Sequence, residues 1–446
     1  MPDYDLLFGA LAGVVGADHA TRADADVAAC AVDGVIPRMV VSPGSVAEVQ
    51  SVVRAAADQG ATMVPRGSGS KMGLGCLPTS ADVLLSLGRL NAVVEYDVAN
   101  LTLVCQAGVR VETLQQEVFA NRQLLPLDPP FTNQATVGGV VATNSSGPRR
   151  LAYGSARDLV LGMKVVSSTG DLLSAGGKTV KNVAGYDLDK LFIGSLGTLG
   201  IIVEVSFRLL PMPQQRATLL AAFPALASAL EMTGRLRESQ YLPSALELLN
   251  PRALEACGLG RGTHGLLIAL EGVTEVVERQ KAEIAALCGH HGAPAVEVLE
   301  GDAESSAWRD IRDLALTVSS RSPGAVATKS SVSLSRLQGV CDVARQSAER
   351  RGLPLCLDVR AGSGVVYAWL EGQSGDESRQ VEVVSEMRTA AAASGGSLVI
   401  ESAPRLVKSA ISVWGEPGSD FFAMKAIKAK LDPRGLLNPG RYVGGI

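Results

Sequence analysis

The chain has 446 residues, more than one hydrophobic core normally serves, so two domains are expected. Apolar residues at 47% against charged residues at 19% exclude a disordered chain, and a net charge of −4 lacks the basic excess of a nucleic-acid binder. No apolar run is long enough for a transmembrane helix.

The first apolar stretch, LLFGALAGVVG, follows Asp3 and Asp5 rather than a basic segment, so it reads as an amphipathic helix from Tyr4 to about Val15 and not as a signal peptide. MVVSP then forms a strand, and GSVAEVQSVVRAAADQG a helix with Val46, Val49, Val52 and Val53 on one face, stopped by Gly60. ATMVP is a second strand and runs into a glycine loop. DVLLSL, AVVEYD and LTLVCQAG are further strands, and RVETLQQEVFANRQ is a helix with Gln123 near its end. The segment PLDPPFTNQATVGGVVATNSSG and its continuation reads as loop until LVLGMKVVSSTG makes a strand and turn. After the strand IIVEVSFRLL, the run Pro211 to Ala217 reads as a linker. Beyond it ATLLAAF, SALELLN, GLLIALEG, LPLCLDVRAGSGVVYAWLEG and GSLVIES are strands. They interleave with long amphipathic helices, which points to a second, α+β domain similar to a ferredoxin-like cap.

Seven scattered cysteines, with no Cys-x-x-Cys, speak against a zinc ribbon or an iron–sulfur cluster in this chain and fit a reducing, cytoplasmic compartment. No metal site is expected. The four histidines are His19, His264, His290 and His291. The last two end a helix, where a solvated cap favoured by the helix dipole is the simplest role.

Three glycine-rich loops carry the functional signal. In VPRGSGSKMGLG the glycines are Gly67, Gly69, Gly73 and Gly75, so G-x-G-x-x-G fails by one position and a Walker motif fails too. On spacing alone the loop fits a surface hairpin as well as a phosphate cradle. The second loop, ATVGGVVATNSSGPRRLAYG, also lacks acidic residues, and the third, FIGSLGTLGIIVEV, has none before Glu204 in the strand that follows it. Three such loops in one half of a chain suggest a single extended anionic ligand held by neutral donors and backbone amides.

These loops, with PRMVVSPGSVAEV (Pro37 to Val49) and LDPRGLLNPGRYV near the C-terminus, resemble the vanillyl-alcohol-oxidase/p-cresol-methylhydroxylase flavoprotein family. The run KTVKNVAGYDLDKLFIGSLGTLG, Lys178 to Gly200, is similar to the signature of glycolate oxidase FAD-binding subunits and related 2-hydroxy-acid dehydrogenases. The resemblance implies an α+β fold: an N-terminal helical segment (1–35), a PCMH-type FAD-binding domain of two α+β subdomains (36–213), and a ferredoxin-like cap (214–446) whose tail, 432–446, returns to the FAD domain. It implies non-covalent FAD. Arg66, Gly67, Ser68, Gly69, Ser70 and Lys71 would wrap the pyrophosphate. Thr136, Val137, Gly138, Gly139, Ala142, Asn144, Ser145 and Gly147 would line the flavin and ribityl region, closed by Tyr153 and Gly154. Gly197, Thr198, Gly200, Ile201 and Val203 would contact the diphosphate and adenine, and Asn438 would reach back to the flavin.

The cap departs from the family pattern. Where catalytic members carry histidines, this chain reads DVRAGSGVVYAWL and IESAPRLVK, with Arg360, Ser363 and Val365 in the first stretch and Ser402, Ala403 and Pro404 in the second. No catalytic residue is assignable; Arg309, Lys329 and Arg360 are the candidates. Arg309 also fits a salt-bridged helix face, and Lys329 an edge strand. The missing histidines make the chain similar to the smaller, histidine-poor FAD subunit of a glycolate- or D-lactate-type oxidoreductase. Such a subunit partners a catalytic FAD-binding paralogue and an iron–sulfur subunit, and meets the inner face of the membrane through them. A stand-alone dehydrogenase with a non-histidine base and a non-enzymatic scaffold are the alternatives.

Overall fold

The computed structural model describes residues 2–177 and 187–446; the first part of the Lys178–Gly200 signature therefore lies outside the described residues. The chain divides into two compact units. One comprises Met1–Ser146, Ser155–Met212 and Glu416–Ile446, and the other Gly147–Gly154 and Pro213–Gly415. The chain segment returning to the first unit thus begins at Glu416, earlier than the expected 432, and the octapeptide Gly147–Gly154 belongs to the second unit.

The first unit opens with the helix Tyr4–Val15, for a local reason. Asp3 caps it by accepting from the amides of Asp5 and Leu6, and Gly16 at φ 88° ends it. Leu7, Leu11 and Val15 recur every fourth residue and are buried. The helix Val46–Gln59 is started by Ser45, which accepts from the Glu48 amide, and stopped by left-handed Gly60. Val49, Val52, Val53 and Ala56 share one core with the first helix and the sheet beside them. That sheet has four strands in the order Ala20–Thr21, Met39–Val41, Val83–Ser86 and Met63–Arg66; the last three are parallel. A five-stranded antiparallel sheet follows: Val93–Asp97, Thr102–Gln106, Ile201–Arg208, Val160–Val166, Leu172–Gly176. Its core includes Leu103, Cys105, Leu114, Val137, Val141, Phe207 and their neighbours.

Two stretches differ from the sequence expectation. The helix at 111 ends at Phe119, and Gln123–Leu124 instead pairs antiparallel with Leu210–Pro211, inside the expected linker. Residues Val137–Thr143, expected as loop, form a helix capped by Thr136, whose side chain accepts from the Gly139 amide. The glycines conceal it, because they lower helix propensity. Gly138 is needed because its backbone packs on Ala107: its amide donates to the Ala107 carbonyl at 2.7 Å, and an added Cβ would lie 2.7 Å from the Ala107 Cβ.

After the helix Phe421–Leu431 the chain bends at Asp432, which accepts from the amides of Leu436 (3.0 Å) and Leu437 (2.9 Å) and from Lys428 Nζ (2.7 Å). It then runs beside Met63, whose amide donates to Leu436 O while its carbonyl accepts from Asn438 N, both at 2.8 Å.

The second unit is built on one eight-stranded antiparallel sheet, ordered Ala295–Leu299, Gln215–Phe223, His264–Gly272, Ala245–Leu249, Leu355–Arg360, Val365–Leu370, Val326–Ser331, Ser397–Ser402. Among its helices are Leu226–Glu238, Thr274–His290 and Glu377–Ala393, as the sequence pattern predicts. The fold as a whole is α+β.

Candidate functional site

In the first unit the three glycine loops meet around one cleft, which encloses about 880 Å³ including space open to solvent. The parallel strand Met63–Arg66 delivers the first loop at its C-terminal end, and Gly69 (φ 89°) and Gly75 (φ 107°) turn it back. Gly67 brings that loop onto the second, for a Cβ there would collide with Thr136 Oγ1. The third loop docks on the end of the second: Gly194 N donates to Val141 O and Leu196 N to Ala142 O, both at 2.9 Å. At these places glycine serves chain-to-chain approach, so the loops form one wall.

The C-terminal segment closes the ring. Asn438 Nδ2 donates to Leu196 O at 2.7 Å, and Lys428 Nζ to Thr198 O at 2.8 Å. Arg441 donates to the carbonyls of Met72 and Leu74 in the first loop.

The cleft is lined by Arg66, Gly67, Ser68, Gly69, Ser70 and Lys71, by Thr136, Gly138, Gly139, Ala142 and Ser145, and by Gly197, Gly200, Ile201 and Asn438. The other expected contacts lie elsewhere. Val137 and Val203 point into hydrophobic cores, and the Thr198 hydroxyl is spent on Ser195 O at 2.7 Å. Asn144 caps the Val137–Thr143 helix in a left-handed conformation. Gly147, Tyr153 and Gly154 belong to the second unit, where the Tyr153 hydroxyl donates to Glu271 at 2.5 Å. Sequence reasoning missed Met72, Leu74, Ala107 and Arg441 in the lining. For Arg441 a signal existed, a cation three residues after Asn438 in NPGRY.

The charge of the lining is one-sided. Arg66, Lys71 and Arg441 contribute cations, and among the described residues no aspartate or glutamate lines the cleft. Ser145 Oγ and Asn438 Oδ1, on residues that are almost fully buried, have no hydrogen-bond partner among the described residues, nor does Asn144 Oδ1. Buried polar atoms are rarely left unpaired, so these call for a ligand with hydrogen-bonding groups. An anionic, elongated ligand with polar edges fits such a cleft, and FAD is one.

The catalytic candidates fall in the second unit. Arg309 is exposed on the helix Gly301–Arg312 and donates to Ser306 Oγ, which matches the helix-face reading. Lys329 sits opposite Tyr367 across the sheet, and Tyr367 opposite Asp358. Arg360 lies opposite Glu247, with Nε 3.8 Å from its Oε1, and its guanidinium stacks 4.5 Å from the Tyr367 ring centroid. Antiparallel register therefore puts Glu247, Lys329, Asp358, Arg360 and Tyr367 on one sheet face. Glu247 is fully buried in an apolar strand, a signal visible in SALELLN but not read. His264 opens the strand His264–Gly272, and burial, with Arg345 nearby, lowers its pKa. Among the described residues, no histidine lines the cleft.

Residues 37–176 match the FAD binding domain family, and residues 212–442 match the FAD linked oxidases, C-terminal domain. The chain belongs to the FAD-linked oxidase family. This FAD-linked oxidase is an FAD-dependent oxidoreductase. It is 31% identical over 417 residues to glycolate oxidase subunit GlcD of Bacillus subtilis, covering 91% of this chain and 89% of that one. It is 29% identical over 418 residues to a D-lactate dehydrogenase of Archaeoglobus fulgidus, covering 91% of each. Its fold is that of p-cresol methylhydroxylase, whose substrate-bound crystal structure superimposes with a TM-score of 0.79 at 17% identity, over 98% of this chain and 96% of the other.

Proposed function

We propose that this FAD-linked oxidase is the FAD-binding subunit of a complex that oxidises a 2-hydroxy acid of the glycolate or D-lactate class. The observation that carries the reading is the acid-free cleft with unpartnered Ser145 Oγ and Asn438 Oδ1 in its wall. The names of the two relatives, a glycolate oxidase subunit and a D-lactate dehydrogenase, supply the substrate class. Bound FAD supplies a two-electron acceptor. The chain's own part is to hold it: amides of the 66–71 loop face its phosphates, Arg66 and Lys71 balance their charge, and Asn438 and Ser145 meet its polar edges. Gly197, Gly200 and Ile201 line the remainder of its path.

The role we favour is relay or support for a catalytic flavin paralogue, with an iron–sulfur subunit as the next carrier and any membrane contact made through those partners. Removing hydride from a 2-hydroxy acid requires an acceptor for the hydroxyl proton. Among the described residues no histidine lines the cleft, and Arg360 is engaged with Glu247 and with Gly147 O. A second reading, a stand-alone dehydrogenase, is favoured by one feature: the buried carboxylates Glu247 and Asp358 flank Arg360, and would serve as proton acceptor beside a carboxylate clamp.

The test is the purified chain. It is expected to carry the visible absorption of oxidised flavin and to keep it when glycolate or D-lactate is added without oxygen. Bleaching by the chain alone would reject the supporting role in favour of the second reading; a colourless chain that takes up no added FAD would reject both.

A further inference from the structure

We infer that Arg441 is a positioning residue for FAD: it fixes the shape of the first glycine loop from the C-terminal segment, so that cofactor retention depends on a side chain that holds the cradle. This rests on the reading that the cleft holds FAD.

Arg441 is 2% exposed. One guanidinium nitrogen donates to the carbonyls of Met72, at 2.8 Å, and Leu74; the other faces Asp33 Oδ2 at 3.4 Å. Those two carbonyls belong to residues whose amides point back into the loop: Met72 N donates to Gly69 O at 3.2 Å and Leu74 N to Lys71 O at 3.1 Å. The guanidinium is thereby two hydrogen bonds away from Gly69 and Lys71, both in the cleft lining. The backbone reinforces the link. Cys76 N donates to Arg441 O at 2.9 Å and Thr79 N to Pro439 O at 3.1 Å. Gly75, at φ 107°, lets the chains approach so closely that an added Cβ would sit 2.8 Å from Arg441 O.

The same segment grips the third loop through Asn438 and Lys428, so it ties together two loops far apart in sequence. A lysine at 441 would keep the charge, but a single ammonium cannot satisfy two carbonyls and a carboxylate in the fork geometry of a guanidinium. Arg434 provides the control. It anchors the same segment to Ala57 O on the helix Val46–Gln59 and does not line the cleft.

The experiment compares full-length wild type, Arg441→Lys, Arg441→Met and Arg434→Met, each loaded with FAD. Three readouts are used: the rate of FAD release on dilution, followed by flavin fluorescence; the melting temperature of the FAD-free protein; and the phosphorus NMR shifts of the bound pyrophosphate. Loss of a charge-assisted hydrogen bond pair predicts release about tenfold faster for both Arg441 variants. Their pyrophosphate resonances move. Arg434→Met releases FAD within about twofold of wild type and leaves those resonances in place, even where it lowers the melting temperature. Wild-type release rates in Arg441→Lys and Arg441→Met would overturn the inference. So would equal acceleration by Arg434→Met, because the effect would then belong to anchoring of the segment in general. Should Arg441→Met fold poorly, Arg441→Lys with unmoved phosphorus resonances is sufficient to overturn it. A wild type that binds no FAD defeats the underlying reading instead, and is told apart by that result alone.

Discussion

The two units differ in where their buried polar groups stand. In the cleft of the first, Ser145 Oγ and Asn438 Oδ1 have no partner among the described residues, which line the wall with cations and no carboxylate. In the second, several buried carboxylates are matched by arginines, although Asp358 Oδ1 and Ser330 Oγ have no hydrogen-bond partner among the described residues. Glu371 receives Arg252 at 2.9 and 2.5 Å and Arg321 at 3.0 Å. Glu271 receives Arg149 at 2.9 Å and the Tyr153 hydroxyl. Glu247 stands beside Arg360. Unpaired polarity has a cost that a ligand can recover, whereas internally matched polarity is already committed to the fold. The difference teaches where to look for a ligand: a cation is a weaker sign of a site than an acceptor with nothing to accept.

The sharpest way to break this contrast is to fill the cleft's wall. In Gly67→Val a Cβ would collide with Thr136 Oγ1, forcing the first two loops apart. Overpacking costs about 1–3 kcal/mol, and it falls directly on the ligand's wall, so FAD affinity is expected to drop about 10–100-fold. Titration of the FAD-free protein with FAD, followed by flavin fluorescence, measures it. Wild-type affinity would mean that the loops do not act as one wall. The second unit should respond differently. Glu371→Gln leaves two guanidiniums facing an uncharged amide and is expected to cost about 2 kcal/mol of stability without changing FAD affinity. Burial raises the Glu371 pKa, but Arg252 and Arg321 outweigh it and hold the carboxyl below its usual 4.5. The stabilisation is therefore present above that pH and lost as pH falls through the lowered value. Denaturant unfolding of both proteins at neutral and at acid pH should show the gap closing in acid.

How much of this was legible in the sequence follows from the range of the interactions. The helix Tyr4–Val15 was readable because its cap, its apolar repeat and its terminating glycine are all local. The helix Val137–Thr143 was not, since its glycines argue against helix and its support comes from Ala107, thirty residues earlier in the chain. The three loops announced an anionic ligand by composition, but their joining by Thr136, Asn438 and Arg441 is tertiary, and no spacing rule contains it. Val203 lies too far along its strand: Ile201 and Ile202 line the cleft, while Val203 enters the core. Among the cap candidates, only the register brings Arg360 opposite Glu247.

The smallest effect tests whether the second unit's matching extends to Glu304. Glu304, buried on the helix Gly301–Arg312, accepts from Thr218 Oγ1 at 3.3 Å, and Thr218 in turn accepts from Trp308 Nε1 at 2.8 Å. Burial raises its pKa, and the nearby Arg216, the Thr218 bond and Arg149 only partly oppose that. A carboxyl raised in the folded state contributes its stability below its unfolded value of 4.5, and that contribution is lost as pH rises through the folded value. At neutral pH the ionised group is thus a cost to the fold. Glu304→Gln keeps the shape and the acceptor for Thr218 while removing the charge. It is expected to raise Tm by about 2 °C at neutral pH, with the advantage vanishing below pH 4.5, where wild-type Glu304 is itself neutral. Melting curves of both proteins across that range decide the matter. A lower Tm for Glu304→Gln at neutral pH would mean that Arg216 and Arg149 pair with the carboxylate well enough to offset its burial.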